Sequence, residues 1–555
     1  MGDVQVQIIR KNDKPLDITV PAGTRINTLT GHFGIDEDSI AAVKVNNERV
    51  SLNISLDVNV TLEPISLDTP EGAMIYRRSL AYILAITAQK LFPERSLYIG
   101  HSLGNSYYYT FTEGKKPSEE AVSSLKNGML ELVKKDLPIT FKHLAYEEAL
   151  AIFRKNNQTD TALLLDQRSE SRVRVNVCSG YADIYVEPLV PKTGLLSAFD
   201  LMPYKDGFLL RFPAVGKKTI DPFEDSPKIF SVYEEYKRWG RIVGVRAVGE
   251  LNARVAQRTI RDYIRIAEIF QERKLSKIAE EIYDRRDKVK AVLIAGPSSS
   301  GKTTSAKRLS IELMVMGIKP VAISLDDYYV GTENTPKDEK GDPDFECLEA
   351  LDVPFLNKQL LELFAGEEIT LPVFDFKSGK RKESGGKKIR MDRRTMLIIE
   401  GIHGLNDALT PRIDREMKFK LYVSALTQLN LDDHNRIPTS DNRLLRRMVR
   451  DYQFRGMTAA ATIKMWPSVQ SGERKHIFPY QNGADAAFNS ALDYELAVLK
   501  YYADPLLRAV KPGVPEYAEA ARLLSFLGNF APIPPQYVPG TSILREFIGE
   551  SEFKY

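Results

Sequence analysis

The stretch Gly296-Pro-Ser-Ser-Ser-Gly-Lys-Thr-Thr304 constrains the fold of this chain more than any other. It fits the pattern Gly-x-x-x-x-Gly-Lys-[Ser/Thr] and has the neighbours that the pattern needs. Before it, the apolar run Val289 to Ala295 predicts a buried strand; after it, Ser305 to Met316 carries helical spacing. Strand, loop and helix in that order form a phosphate cradle. Gly296 and Gly301 let the backbone curl so that its N–H groups face phosphate oxygens, and the helix adds the positive end of its dipole. On this reading Pro297, Ser298, Ser299, Ser300 and Thr304 complete an ATP-binding loop. Lys302 reaches the outer phosphates, and the Thr303 hydroxyl sits on Mg2+. A Gly/Ser-rich turn matching by chance is the alternative, and the flanking strand and helix argue against it.

Two more apolar runs end in acids. Val321-Ala-Ile-Ser-Leu325 leads into Asp326-Asp327, and Arg393 to Ile399 leads into Glu400. Open α/β sheets place ligands at the carboxyl ends of their strands, so these acids are expected to meet Lys302 and Thr303 in one crevice. Further on, Arg443, Arg446, Arg447, Arg450 and Arg455 crowd one helical stretch. So many guanidinium groups with few acids call for a multiply charged anion.

At 555 residues the chain exceeds one ordinary core, so several domains are expected. Lys+Arg at 77 against Asp+Glu at 74 leaves +3, which gives no global nucleic-acid or membrane signature. The 2 cysteines, Cys178 and Cys347, lack metal-ligand spacing and support no disulfide framework. No signal-peptide core or membrane-length apolar stretch is seen, so no membrane partner is expected and the cytoplasm is the expected location.

Residues 1–65 read as a small β-rich unit. Val4, Val6 and Ile8 alternate with glutamines, and Val43 to Val50 reads as two short strands around an Asn46-Asn47 turn. Together with Val20-Pro-Ala-Gly-Thr-Arg-Ile26, this unit resembles a TGS domain, a β-grasp module of threonyl-tRNA synthetases. Residues 66–225 resemble the next domain of those synthetases, which carries editing in many bacterial members. The resemblance runs through Tyr76 to Leu84, Lys90 to Pro93, Tyr107 to Phe111, Ala182 to Tyr185 and Pro188 to Gly194. In that family two histidines one helical turn apart, with a later Cys and His, form the polar site. The matching positions here are Arg78, Tyr82, Tyr185 and Leu189, none of which can serve as ligand or base near neutral pH. The domain is therefore expected to keep its fold without hydrolysis. His101 and Cys178, the polar residues left nearby, read as structural.

Residues 226–288 read as a helical connector, and residues 289–515 hold the chemistry. The latter region resembles uridine kinases and their phosphoribulokinase relatives through the loop 296–304, Ser324 to Tyr329, Asp344 to Asp352, Pro372 to Phe376, Ile399 to Ile402, Arg443 to Gly456 and Phe478 to Asp485. The resemblance implies that Asp326 is the catalytic base and that Lys302 acts with it. It implies Thr303 and Glu400 as the magnesium-holding pair, and Arg447, Arg450 and Arg455 as lid residues over ATP and substrate. The substrate-binding positions it implies are Phe345, Glu346, Phe374, Phe376 and Arg447. Two of these positions, and Gly379 beside them in sequence, depart from the family. Glu346 stands for an aspartate, Phe374 for a tyrosine, and Gly379 for a histidine that contacts the base, so polar contacts that select a substrate are missing. The basic run Lys377 to Lys388 reads as a solvated hairpin tip. Residues 516–555, helical from Tyr517 to Leu527, are expected to pack on the kinase-like region or to serve in homo-oligomer contacts, with no chemistry of their own.

The expected fold class is thus α/β multidomain: a β-grasp TGS domain, an α+β synthetase editing-like domain and a P-loop NTPase kinase domain with a mainly parallel sheet. The expected function is ATP- and magnesium-dependent phosphorylation of the 5′-hydroxyl of a pyrimidine nucleoside. A kinase for another hydroxylated acceptor, such as a sugar phosphate, remains open. So does an RNA-associated regulatory protein in which the N-terminal half contacts RNA and nucleotide binding acts as a switch.

Overall fold

The computed structural model describes residues 2–10, 13–111, 116–168, 170–337, 341–375, 378–382 and 385–554. At its centre lies a five-stranded sheet in the order Lys319–Ser324, Thr395–Glu400, Ala291–Ala295, Lys418–Ser424, Ala486–Asn489, with every neighbouring pair parallel. The three strands expected from apolar runs occupy one edge and the middle. The strand Lys418–Ser424 is buried along its whole length despite two lysines. Their ammonium groups are held inside: Lys418 donates to the Thr410 carbonyl at 3.1 Å, and Lys420 to the Leu405 carbonyl at 2.9 Å and to Asp407 at 2.6 Å.

The helix after the phosphate loop runs Lys302–Val315 and packs on one face of this sheet. Residues 226–288 form the helices Pro227–Val243, Val248–Ala256 and Ile260–Asp284. These are more than a connector. Ile260, Ile264, Ile278 and Ile282 share a single apolar core with Val292, Ile294 and Leu309 of the kinase region and with Leu164 and Val175 of the preceding domain. Trp239 stacks on Phe270 at 4.5 Å and ties the first of these helices to the third.

The N-terminal unit is a mixed five-stranded sheet, ordered Leu16–Pro21, Asp3–Ile8, Val60–Ser66, Ile40–Val45, Glu48–Val50. Asn46 and Asn47 form its hairpin turn, both at positive φ (50° and 64°), as a type I′ turn demands. Arg49, buried in this unit, reaches out to Glu519 at 2.9 Å and to Glu187 at 3.5 Å, so one guanidinium joins three parts of the chain.

Between these regions, the helix Pro70–Leu91 lies against a four-stranded antiparallel sheet, and a three-stranded sheet (140–145, 172–178, 181–184) faces the kinase region. Into this face the kinase region inserts the segment 425–438 that follows the strand Lys418–Ser424. His434 Nδ1 meets Asp183 at 2.9 Å, and Asp433 accepts from the backbone N–H of Thr161 at 2.9 Å and from its hydroxyl at 3.1 Å. The Ile99 carbonyl accepts from Asn430 at 2.7 Å.

Candidate active site

The phosphate loop is shaped by two close approaches. A Cβ on Gly296 would fall 1.9 Å from the carbonyl oxygen of Val423, so only glycine lets the loop lie against the neighbouring strand. Gly301 has φ of +81°, and a Cβ there would fall 2.8 Å from Ile543 Cγ2. Ser299 also takes a positive φ, 57°. Lys302 donates to the carbonyls of Gly296 at 2.9 Å and Pro297 at 3.3 Å.

Most of the residues singled out from sequence come together here. Ser298, Ser299, Ser300, Gly301, Lys302, Thr303, Asp326, Glu346, Glu400, Arg447, Arg450 and Arg455 all line one cleft of about 660 Å³. Thr304 is fully buried behind it. Thr303 Oγ1 lies 3.1 Å from both carboxylate oxygens of Glu400. Burial, partly offset by Lys302, raises the carboxyl of Glu400 to about 7 and that of Asp326 above the usual aspartate range. Burial likewise lowers Lys302, against the pull of Glu400 and Asp326.

The arginine-rich helix spans Thr439–Arg455, and its cations have nearer partners than the sequence suggested. Arg443 pairs with Glu473 (2.7 Å) and Arg446, wholly buried, with Glu495 (3.0 Å). Both also donate to loop carbonyls, Arg443 to Ser298 at 3.1 Å and Arg446 to Ser299 at 3.3 Å, so they brace the loop from behind. Asp451 lies within 3.2 Å of Arg447, 2.8 Å of Arg450 and 3.4 Å of Arg455. One buried carboxylate thus gathers three guanidinium groups at the cleft wall and leaves them net positive. Arg447 also donates to the Ser298 hydroxyl at 2.8 Å.

On the acceptor side, Glu346 lies against Gly472, where a Cβ would be 3.1 Å from its Cγ. Phe345 and Phe374 each contact the Tyr329 ring at 5.5 Å and form an aromatic wall beside it. Phe376 lies outside the described residues, as do Lys377, Glu383 and Ser384 of the basic run. Gly379 sits in the turn between Phe374–Asp375 and Lys380–Arg381 at φ of +67°. A Cβ there would fall 2.3 Å from the Thr332 hydroxyl, which explains why no side chain occupies this position.

The C-terminal stretch does more than pack on the kinase-like region, because Glu546 lines the cleft and accepts hydrogen bonds from the hydroxyl of Thr304 and, at 3.2 Å, from its backbone N–H. Glu473, which accepts from Ser298 N–H at 3.1 Å, was also missed. Both lie far from the loop in sequence, and no local pattern announces them.

At the positions where the synthetase family keeps its polar site, Tyr82 donates toward the carbonyls of Asn176 and Tyr181, each at 3.1 Å. Arg78, Tyr82 and Leu189 line one small cleft. Tyr185 instead lies beside Phe141 and under Arg174. His101 is buried with its pKa pushed down to about 3, and burial raises the Cys178 thiol to about 11, so both are inert near neutral pH.

A parallel sheet, a phosphate loop and strand-end acids facing one cleft define a P-loop kinase domain. Residues 291–497 match the Phosphoribulokinase / Uridine kinase family. The N-terminal region matches threonyl-tRNA ligases. The ligase of Rubrobacter xylanophilus is 29% identical over 187 residues, covering 33% of this chain and 29% of the ligase. That of Symbiobacterium thermophilum is 31% identical over 162 residues, covering 29% and 25%. The chain therefore spans less than a third of these relatives. Among solved structures, a protein of Bacillus stearothermophilus described as a possible uridine kinase aligns with 38% of this chain and 100% of its own, at 21% identity and a TM-score of 0.24. A D-glycerate 3-kinase of Cryptococcus neoformans aligns with 38% and 90%, at 15% identity and a TM-score of 0.29. No helix among the described residues is long and apolar enough to cross a membrane.

Proposed function

We propose that this protein transfers the γ-phosphate of ATP to the 5′-hydroxyl of a pyrimidine nucleoside. The observation that carries the reading is the convergence of Asp326 and Glu400 with Lys302 and Thr303 on one cleft. A nucleotide-binding switch has no need of a second buried carboxylate facing the phosphates. Asp326, raised above the ordinary aspartate range by burial, is the group that accepts the proton of the attacking hydroxyl. Lys302 leaves its loop carbonyls to meet the phosphate oxygens, and Arg447, Arg450 and Arg455 spread positive charge over the transferring group. Glu346, which lines the cleft with Tyr329, would accept from sugar hydroxyls.

The donor set suits magnesium. The carboxylates Asp326 and Glu400 share the cleft with Lys302, and the Thr303 hydroxyl and Glu400 face one another. No group of three or more His, Cys, Asp or Glu side chains able to hold a metal occurs among the described residues, so phosphate oxygens and water would complete the coordination. When bound there, the ion would neutralise charge on the outer phosphates.

The acceptor is tested by incubating the protein with ATP, magnesium and a panel of ribo- and deoxyribonucleosides, sugars and sugar phosphates. Asp326→Asn should lower turnover about 10²- to 10⁴-fold while ATP still binds. A product formed only from sugars or sugar phosphates would replace the nucleoside by that acceptor. ATP binding with no product from any acceptor would overturn the kinase reading.

A further inference from the structure

A second cleft, of about 80 Å³, opens where the editing-like domain meets the kinase region. Arg78 and Tyr107 approach from one side, and His434, Asn435 and Arg436 from the other. Its charges divide into those with partners and those without. Arg522 pairs with Asp441 and Glu519, both at 2.6 Å. His434 pairs with Asp183, and Glu187 with Arg49 at 3.5 Å. Two cations are left over. Neither Arg78 nor Arg436 makes a side-chain hydrogen bond or ion pair among the described residues; Arg436 only covers the Tyr107 ring at 5.2 Å.

Placing two guanidinium groups from different domains in one recess without acids of their own costs desolvation and mutual repulsion. Burial holds Arg78 below the usual arginine range; Glu187 opposes the shift, and the cleft's Arg522 and the nearby Arg49 add to it. Arg436 and Arg474 similarly lower the neighbouring Arg77, beyond the effect of its burial.

We infer that this cleft is a binding site for a small phosphorylated molecule, with Arg78 and Arg436 as its phosphate ligands. The tetrahedral arrangement of phosphate oxygens lets one group meet two planar donor forks arriving from separate directions, whereas both oxygens of a carboxylate face one way. Tyr107 supplies a further donor at the rim, and Met74, Ala81 and Phe526 offer an apolar wall for the remainder of the molecule. The site is separate from the phosphate loop and does not depend on the identity of the kinase acceptor.

The test uses the full chain with its phosphate loop saturated by magnesium and a non-hydrolysable ATP analogue. Inorganic phosphate and glycerol phosphate are then titrated calorimetrically. One further saturable site is expected, weakened about tenfold or more by Arg436→Ala and by Arg78→Met, with an intermediate loss in Arg436→Lys. Unchanged analogue affinity and thermal unfolding show that each variant is folded; if Arg78→Met is not, the two Arg436 variants decide. The proposal is overturned if neither phosphate compound binds at millimolar concentration, or if the folded variants bind as well as the parent. It is also overturned if a 5′-phosphorylated oligoribonucleotide binds through these arginines while the small phosphates do not.

Discussion

Replacing Glu546 by alanine should tighten ATP binding. Its carboxylate holds the backbone N–H and hydroxyl of Thr304, donors at the start of the helix behind the phosphate loop. Loops of this type turn such N–H groups toward phosphate oxygens, so nucleotide and Glu546 compete for the same donors. A charge-assisted hydrogen bond contributes about 1.5–3 kcal/mol net. Two like charges about 6 Å apart, at an effective dielectric constant of about 20, repel by about 3 kcal/mol before screening by salt. Since the alanine variant also loses whatever order Glu546 gives the free loop, a net gain of about 2 kcal/mol is expected, or about a thirtyfold lower Kd. Glu546→Gln, which keeps an acceptor but no charge, should fall between. The assay is calorimetric titration of each variant with a non-hydrolysable ATP analogue and magnesium. Unchanged or weaker binding in Glu546→Ala would refute the reasoning and make Glu546 a fixed part of the pocket wall.

The docking of His434 on Asp183 gives stability a pH signature. The imidazole is raised to about 9, from about 6.5 when unfolded, chiefly by Asp183 with help from Asp433 and Asp432 against the cost of burial. Its contribution, about 3 kcal/mol, is fully present below pH 6.5 and is lost as pH rises through 9. Asp432 and Asp433, themselves raised to about 7 by burial, push in the same direction at lower pH. Denaturant unfolding should therefore show falling stability between pH 6.5 and 9 in the parent and a flatter profile in His434→Ala. Gly296→Ala should abolish nucleotide binding and lower stability by about 3 kcal/mol or more in thermal unfolding, because the new methyl meets the backbone oxygen of Val423 at 1.9 Å.

The phosphate loop and the strand-end acids were legible because each depends on a local rule, a loop motif or an apolar run ending in charge. So was the Asn46-Asn47 turn, where side chain and backbone preference coincide. Lys418–Ser424 was not, because its buried lysines depend on carbonyls and an acid of the adjoining 405–410 segment that hydrophobic periodicity cannot register. The arginine helix was legible as a basic element but not as a paired one. Glu473 and Glu495 come from other helices, and Asp451 acts only through the way the helix folds three side chains back on it. Glu546 reaches the loop from 242 positions away, across a contact that only the tertiary fold creates.

The segment 425–438 bears on how such a chain could have arisen and could be re-engineered. The domain that matches threonyl-tRNA ligases meets this segment directly here, and several of its residues form a socket for it. Tyr82 caps carbonyls on its floor, Asp183 receives His434, and Thr161 receives Asp433. Each half now carries the negative impression of the other. Cutting the gene near residue 226 should therefore yield two sticky, poorly behaved fragments rather than a synthetase-like module and a free-standing kinase, and grafting either half onto a homologue would require transplanting plug and socket together.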